Sequence, residues 1–332
     1  MNNSNKIQVT FFFRKPRPQY FSIEKVFELV IANLPDNIEA KVYKLKNGTT
    51  GWWGRVKALW EAYSNRGAIN HITGDVTFLG LVLPRKGLII TYHDLESLAQ
   101  YKGLSFTIIK YLWVTIPVRR AEQITVISEH TKNKIIEWTG VDEKKIVVIP
   151  NPLPEEIKYT PKDFNKNKPV ILVMGTKANK NVDRIMRALQ GINCRLLIVG
   201  KMTEEQSNLA SDLNLEAENL VHVPYSGIVN AYRKSDILCF PSLYEGFGMP
   251  IIEAQATGRP VITSNYGAMK EVAGEGALLV DPNDINDIRE AVLKVISGER
   301  LRDNLVKRGL MNVERYKGNE IGKMYGELYG EL

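Results

Sequence analysis

Strand-length runs of apolar and β-branched residues alternate with segments of helical period along almost the whole chain, and the alternation breaks off once and then begins again. Before the break the strand-length runs fall at 7–13, 40–45, 69–72, 88–92, 124–127 and 146–149, with helical periodicity at 22–32 and 131–138. Ser128 or Thr131 is placed to cap the second of these helices. The break is Pro150-Asn151-Pro152-Leu153-Pro154 followed by the polar, lysine-rich stretch 158–168, which reads as a linker. Beyond it strands are expected at 170–174, 195–199, 220–223, 237–240 and 261–263. Helices are expected at 182–189, 204–213, 228–234 and 251–257, then a closing pair. Such alternation builds parallel sheets covered on both faces. Two series in 332 residues predict an α/β protein of two doubly wound domains facing across a cleft. The expected boundaries are 1–152, joined by a helix at 315–332, a linker at 153–168, and a second domain at 169–314. Ligands in such sheets sit at the carboxyl ends of strands, so functional residues are sought just after them.

Composition narrows the setting. The two cysteines, Cys194 and Cys239, each lie in an apolar run and read as small core residues of a reducing compartment. The polar start Met1-Asn2-Asn3-Ser4-Asn5-Lys6 lacks the apolar stretch of a signal peptide, so a cytoplasmic protein is expected. The longest apolar stretch, 106–118, is interrupted by Lys110 and is shorter than the roughly 20 residues a spanning helix needs. Charge is uneven: residues 1–150 hold 21 Lys and Arg against 13 Asp and Glu, residues 151–332 hold 23 against 24. The basic field belongs to the first half, without a helix-turn-helix spacing or other nucleic-acid motif, so no nucleic-acid partner is expected.

The densest chemistry follows the run at 237–240: Pro241-Ser242-Leu243-Tyr244-Glu245-Gly246-Phe247-Gly248-Met249-Pro250-Ile251-Ile252-Glu253. Gly246 and Gly248 allow close backbone approach, and Pro250 suits the start of a helix whose free N–H groups favour an anion or sugar hydroxyls. Glu253 is expected in the first turn, near the same mouth as Glu245, so that two carboxylates address one polyhydroxylated ligand. The plain alternative is a capped helix with both glutamates solvated. A second loop, Gly175-Thr176-Lys177-Ala178-Asn179-Lys180-Asn181, follows the run at 170–174 and reads as a diphosphate cradle with two lysines, or else as a solvated loop. In the first half His93 and Asp94 end the most apolar strand, and His71 is similarly placed after 69–70, although a lone histidine at a strand end is more often structural.

The stretch from Glu245 to Glu253 resembles the E-x7-E signature of retaining glycosyltransferases of family 4, which have the GT-B architecture. The resemblance runs on through Pro260-Val261-Ile262-Thr263-Ser264-Asn265, Glu271-Val272-Ala273-Gly274 and Leu278-Leu279-Val280-Asp281-Pro282, and covers the second half most specifically. It implies that Glu245 and the N–H groups of Phe247, Gly248 and Met249 hold the donor sugar, and that Glu253 accepts from the ribose hydroxyls. Lys177 stands roughly where relatives carry an Arg, and Lys180 matches their Lys. A lysine lacks the planar fork of arginine, so bidentate phosphate contact is not expected there. His93 would meet the donor sugar and diphosphate, Asp94 would support its loop, and Ser128 matches a position near the cleft. The Gly-Gly loop of many relatives is replaced by Arg14-Lys15-Pro16-Arg17-Pro18-Gln19-Tyr20, in which Arg14 is a candidate for a phosphate on the acceptor.

The implied reaction moves a hexose-type sugar from a nucleotide-diphosphate sugar, UDP- or GDP-linked, to a glycan or lipid-linked glycan in cell-surface polysaccharide synthesis. Lys177, Lys180 and nearby backbone N–H groups would stabilise the departing diphosphate; without an Asp-x-Asp pair, no metal and no resident cofactor are expected. A nucleotide-sugar-binding subunit without turnover is the alternative; an oxidoreductase would need a Gly-x-Gly-x-x-Gly that this chain lacks. Finally, Trp52, Trp53, Val56, Leu59, Trp60 and Tyr63 share one helical face, which suits either packing on the sheet or peripheral docking on an anionic membrane.

Overall fold

The structure, a computed structural model, describes residues 6–15, 22–47, 51–95, 98 and 101–332. The expected acceptor loop at 16–20 lies outside the described residues.

By its contacts the chain divides into two compact units, Met1–Pro152 with Lys317–Leu332, and Leu153–Tyr316. The first unit contains β1 (Ile7–Phe13), β2 (Ile38–Lys44), β3 (Ile69–Ile72), β4 (Leu88–Tyr92), β5 (Gln123–Val126) and β6 (Ile146–Val148). They form one parallel sheet in the order β2-β1-β3-β4-β5-β6. β4 is buried at all five positions because it is central and covered on both faces. In β1 side chains alternate between faces, so Phe12 enters one core with Leu79, Ile90 and Ile124, while Phe11 and Phe13 enter the other with Phe27. Helix Gly318–Gly330 closes that second core with Ile321, Tyr325, Leu328 and Tyr329. It lies against the chain at Asn33 so closely that a Cβ added to Gly322 would sit 1.9 Å from the Asn33 carbonyl oxygen.

The second unit contains β7 (Val170–Met174), β8 (Arg195–Val199), β9 (Glu216–Leu220), β10 (Ile237–Phe240), β11 (Val261–Ser264) and β12 (Ala277–Val280). They too form one parallel sheet, in the order β12-β11-β10-β7-β8-β9. Chain order runs outward in both directions from the β7–β10 pair, which makes the space between their carboxyl ends the topological switch point. Segment 153–168 packs on this unit, where Lys162 pairs with the buried carboxylate of Asp236 and the Asn165 N–H donates to the same group.

Two strands differ from the sequence reading. β9 lies at Glu216–Leu220, ahead of the expected 220–223, because this polar edge strand is recruited by pairing with β8, while His222 at φ +55° leaves the extended region. β12 is an unanticipated four-residue edge strand pairing with β11.

Candidate functional site

The loops leaving β7 and β10 flank the switch point of the second unit, and hydrogen bonds join them. Gly175 takes φ +88°, and a Cβ there would lie 3.0 Å from the Lys180 Cε, so glycine lets the lysine stem fold back across the loop. A short 3₁₀ turn, Ala178–Lys180, ends at Asn181, which is left-handed at φ +61° and buried. Its side-chain amide donates to the carbonyls of Pro241 (3.0 Å) and Pro282 (2.6 Å), tying together the loops after β7, β10 and β12. Asn179 donates to the Tyr244 carbonyl (3.0 Å) and to Glu245 Oε1 (3.2 Å), while the Leu243 N–H donates to the Asn179 carbonyl (2.8 Å).

Within this frame Lys180 Nζ lies 2.6 Å from Glu245 Oε1 and 4.7 Å from the centroid of the Phe240 ring. Lys177, at the start of the turn, is exposed. Thr176 anchors the loop from the other side: its hydroxyl donates to the Lys201 carbonyl (2.6 Å), and its carbonyl accepts from Gln206 (3.2 Å). Past Glu245 the side chain of Phe247 is buried edge-on against Tyr316. Gly248, at φ +110°, opens helix Met249–Thr257, which has no side-chain cap. The first N–H groups of a helix have no acceptor within it, so an uncapped start offers donors to a ligand.

Glu253 sits differently from the expectation. The helix starts two residues earlier than the pattern suggests, at Met249, which moves Glu253 from the first turn into the second. There it is buried and accepts from Tyr232 (2.6 Å) and Tyr225 (3.3 Å) of helix Tyr225–Lys234. Burial and the adjacent carboxylate hold the Tyr232 hydroxyl well above the ordinary phenol range, so it stays a donor. Glu245 and Glu253 thus have separate partners. The two tyrosines, like Asn179 and Asn181, carry no role in the sequence reading: an Asn before a helix signals a left-handed turn, whereas nothing local marks a tyrosine 21 residues upstream.

In the first unit His93 follows β4, half-buried, with Nε2 donating to the Thr73 carbonyl (2.8 Å). Burial lowers its pKa and favours the neutral ring. It lines a small hollow of about 100 Å³ with Asp75, exposed Asp94, Leu95 and Trp113. Three further candidates have partners within the first unit. Arg14 pairs with Glu24 (2.6 Å) and with Asp75. His71 is fully buried, with Nδ1 2.7 Å from the Tyr329 hydroxyl and Nε2 2.7 Å from the Thr91 hydroxyl. It is a core histidine, its pKa lowered to about 3 by burial and by neighbouring His93. Ser128 is buried and caps helix Glu129–Thr139 by accepting from the Thr131 N–H. A larger hollow of about 650 Å³, bordered by Tyr159, Gly258, Arg259 and Lys307, lies at the other end of helix Met249–Thr257, where β11 begins rather than where strands end.

Comparison with known sequences agrees with this geometry in both halves. The profile "Glycosyl transferases group 1" matches residues 155–310, and "Glycosyltransferase Family 4" matches residues 5–156. The chain belongs to the group 1 glycosyltransferases. Its two parallel six-stranded sheets have the two-domain GT-B architecture. An uncharacterized glycosyltransferase of Methanocaldococcus jannaschii is 29% identical over 217 residues, which is 64% of this chain and 60% of that one. The capsular polysaccharide biosynthesis glycosyltransferase CapM of Staphylococcus aureus is 29% identical over 270 residues, 74% of this chain and 70% of that one. Among solved structures, Anabaena HepE in complex with UDP and glucose superimposes with a TM-score of 0.76 at 16% identity, covering 98% of this chain and 100% of that one. The loops after β7 and β10 of this group 1 glycosyltransferase both fall inside the first matched profile.

Proposed function

We propose that the enzyme moves a hexose from a UDP- or GDP-linked donor to a glycan or lipid-linked glycan in cell-surface polysaccharide synthesis at the inner face of a membrane, retaining the anomeric configuration and needing no metal ion. The observation that carries the donor half is the joining of Asn179, Lys180 and Glu245 at the β7–β10 switch point, beside an uncapped helix start. A cation and a carboxylate side by side suit a diphosphate and a sugar hydroxyl on one ligand. In this reading the donor diphosphate takes Lys180 from Glu245, with Lys177, Gly175 and Thr176 completing the cradle. Glu245 then turns to the sugar hydroxyls with the N–H groups of Phe247, Gly248 and Met249. Glu253, held by Tyr232, accepts from the ribose.

The bond from the anomeric carbon to the diphosphate oxygen breaks as the acceptor hydroxyl attacks from the same face, and the acceptor proton passes to the departing phosphate. Lys177 and Lys180 stabilise the charge building on that phosphate, the task a metal would otherwise perform. His93, supported by Asp94, serves the same reaction from the first unit. The name of the CapM relative supports the polysaccharide setting, and the UDP and glucose of HepE support a nucleotide-sugar donor.

A thermal-shift panel of UDP-, GDP- and ADP-sugars tests the donor reading. One class should raise the melting temperature by mass action; no shift with any of them would overturn it. Transfer should survive EDTA, and the product's anomeric configuration, read by NMR, should match the donor's.

A further inference from the structure

Helix Gly51–Ser64 turns its small side inward. Ala58 and Ala62 are buried in the core of the first unit, while Trp52, Trp53 and Trp60 stand 72%, 74% and 71% exposed. Val56 and Tyr63 on the same face are exposed as well, while Leu59 between them packs against the core, so the face is anchored at Leu59 and open at its tryptophans. Its one acidic residue, Glu61, points inward and accepts from the N–H groups of Lys46 (2.9 Å) and Asn47 (3.2 Å) and the Tyr43 hydroxyl (3.2 Å). Lys57 stays exposed, so no acid remains on the helix's outer surface.

A second element continues the pattern. Helix Gly103–Lys110 buries none of its residues, and Leu104 and Ile108, then Tyr111 beyond it, recur at helical spacing, all exposed. The stretch 101–121 contains no Asp or Glu and carries exposed Lys102 and Arg119, with Lys110 half-buried over Trp138 and Arg120 held inward by the carbonyls of Gly80 and Leu83. Helix Gly51–Ser64 touches the segment that follows, Tyr111–Thr115, where the Arg55 guanidinium stacks 4.8 Å over the Trp113 ring.

We propose that these two helices form a docking surface for an anionic lipid bilayer. Indole and phenol rings favour the headgroup zone, where an apolar body and a polar edge are both satisfied. Large apolar side chains in a contiguous set mark an interaction surface. The choice of bilayer rests on charge: with no exposed acid on either helix, the cations complement a uniformly negative plane, to which each Lys or Arg near the surface adds attraction. No helix among the described residues is long and apolar enough to cross a membrane, so attachment through this surface is peripheral. The inference concerns the membrane in the proposed function but does not depend on the donor site, since vesicle binding needs no donor.

Co-sedimentation with phosphatidylcholine vesicles, with and without phosphatidylglycerol, tests it on the whole chain. The protein should pellet with the anionic vesicles at low salt, with a blue shift of tryptophan emission. Trp52→Ser/Trp53→Ser/Trp60→Ser should weaken partitioning by about tenfold or more, and Lys57→Ala by about fivefold. Because these side chains are exposed, the variants should keep the wild-type melting temperature and donor shift. Wild-type protein remaining in the supernatant, a triple variant that pellets like wild type, or tryptophan-dependent self-association without vesicle binding would each overturn the proposal.

Discussion

The ammonium group of Lys180 lies 2.6 Å from Oε1 of Glu245, and each side chain keeps less than a fifth of its surface in water. In the absence of a donor these two groups neutralise each other. Truncating either leaves a largely shielded charge without its partner.

Lys180→Ala should therefore cost about 1–2 kcal/mol of stability, less than a fully buried pair because both groups are still partly hydrated. It should also lower kcat/KM by roughly 10²–10³ through loss of charge stabilisation on the leaving phosphate. Lys180→Ala with Glu245→Gln should recover much of the stability and none of the activity. Urea unfolding beside transfer assays separates the two effects; equal recovery of both would remove Lys180 from the reaction.

At Gly322 there is no room for a methyl group, since its Cβ would meet the Asn33 carbonyl at 1.9 Å, whereas Gly330 of the same helix has nothing within 4 Å. Gly322→Ala should destabilise the protein by about 2–3 kcal/mol or more through backbone displacement. Gly330→Ala should stay within about 0.5 kcal/mol of wild type. Denaturation midpoints compare them directly, and near-identical midpoints would contradict the close approach.

The buried neutral ring of His71 sets a pH dependence. Its folded-state pKa is lowered to about 3 from 6.5, so between those values the unfolded chain takes up a proton that the folded imidazole refuses. Stability is thus fully present above about pH 6.5 and falls as the pH drops, with a slope of up to about 1.4 kcal/mol per pH unit from this group. Thermal melts between pH 6.5 and 5, where most carboxylates stay ionised, should show the decline in wild type and a flatter profile in His71→Gln. Parallel profiles would rule His71 out as its source.

How much of this was legible depended on where the deciding partner lay along the chain. The buried strands at 7–13, 88–92, 170–174, 195–199 and 237–240 declared themselves because continuous apolar runs between polar loops need no other information. β9 did not, since Glu216-Ala217-Glu218-Asn219-Leu220 becomes a strand only through β8. The glycine loops at Gly175 and Gly248 were readable because each combines a strand end, a glycine and a helix start within a few residues. His71 was misread, and the partners of Arg14 went unseen, for the opposite reason. A histidine at a strand end looks the same whether its ring enters a mouth or a core, and its decisive neighbour, Tyr329, is 258 positions away. Arg14 looked free because Glu24 and Asp75 reach it only in the folded chain.

Helix Gly318–Gly330 supplies Tyr329 to His71 and closes a core whose sheet was synthesised before residue 153. On a ribosome, then, the second unit is complete in one uninterrupted stretch while the first must wait, its aromatic core uncovered, until the whole of the other has emerged. A released fragment ending near residue 316 should hold a finished second unit beside an unfinished first, the one more vulnerable to a protease or to a chaperone's grip.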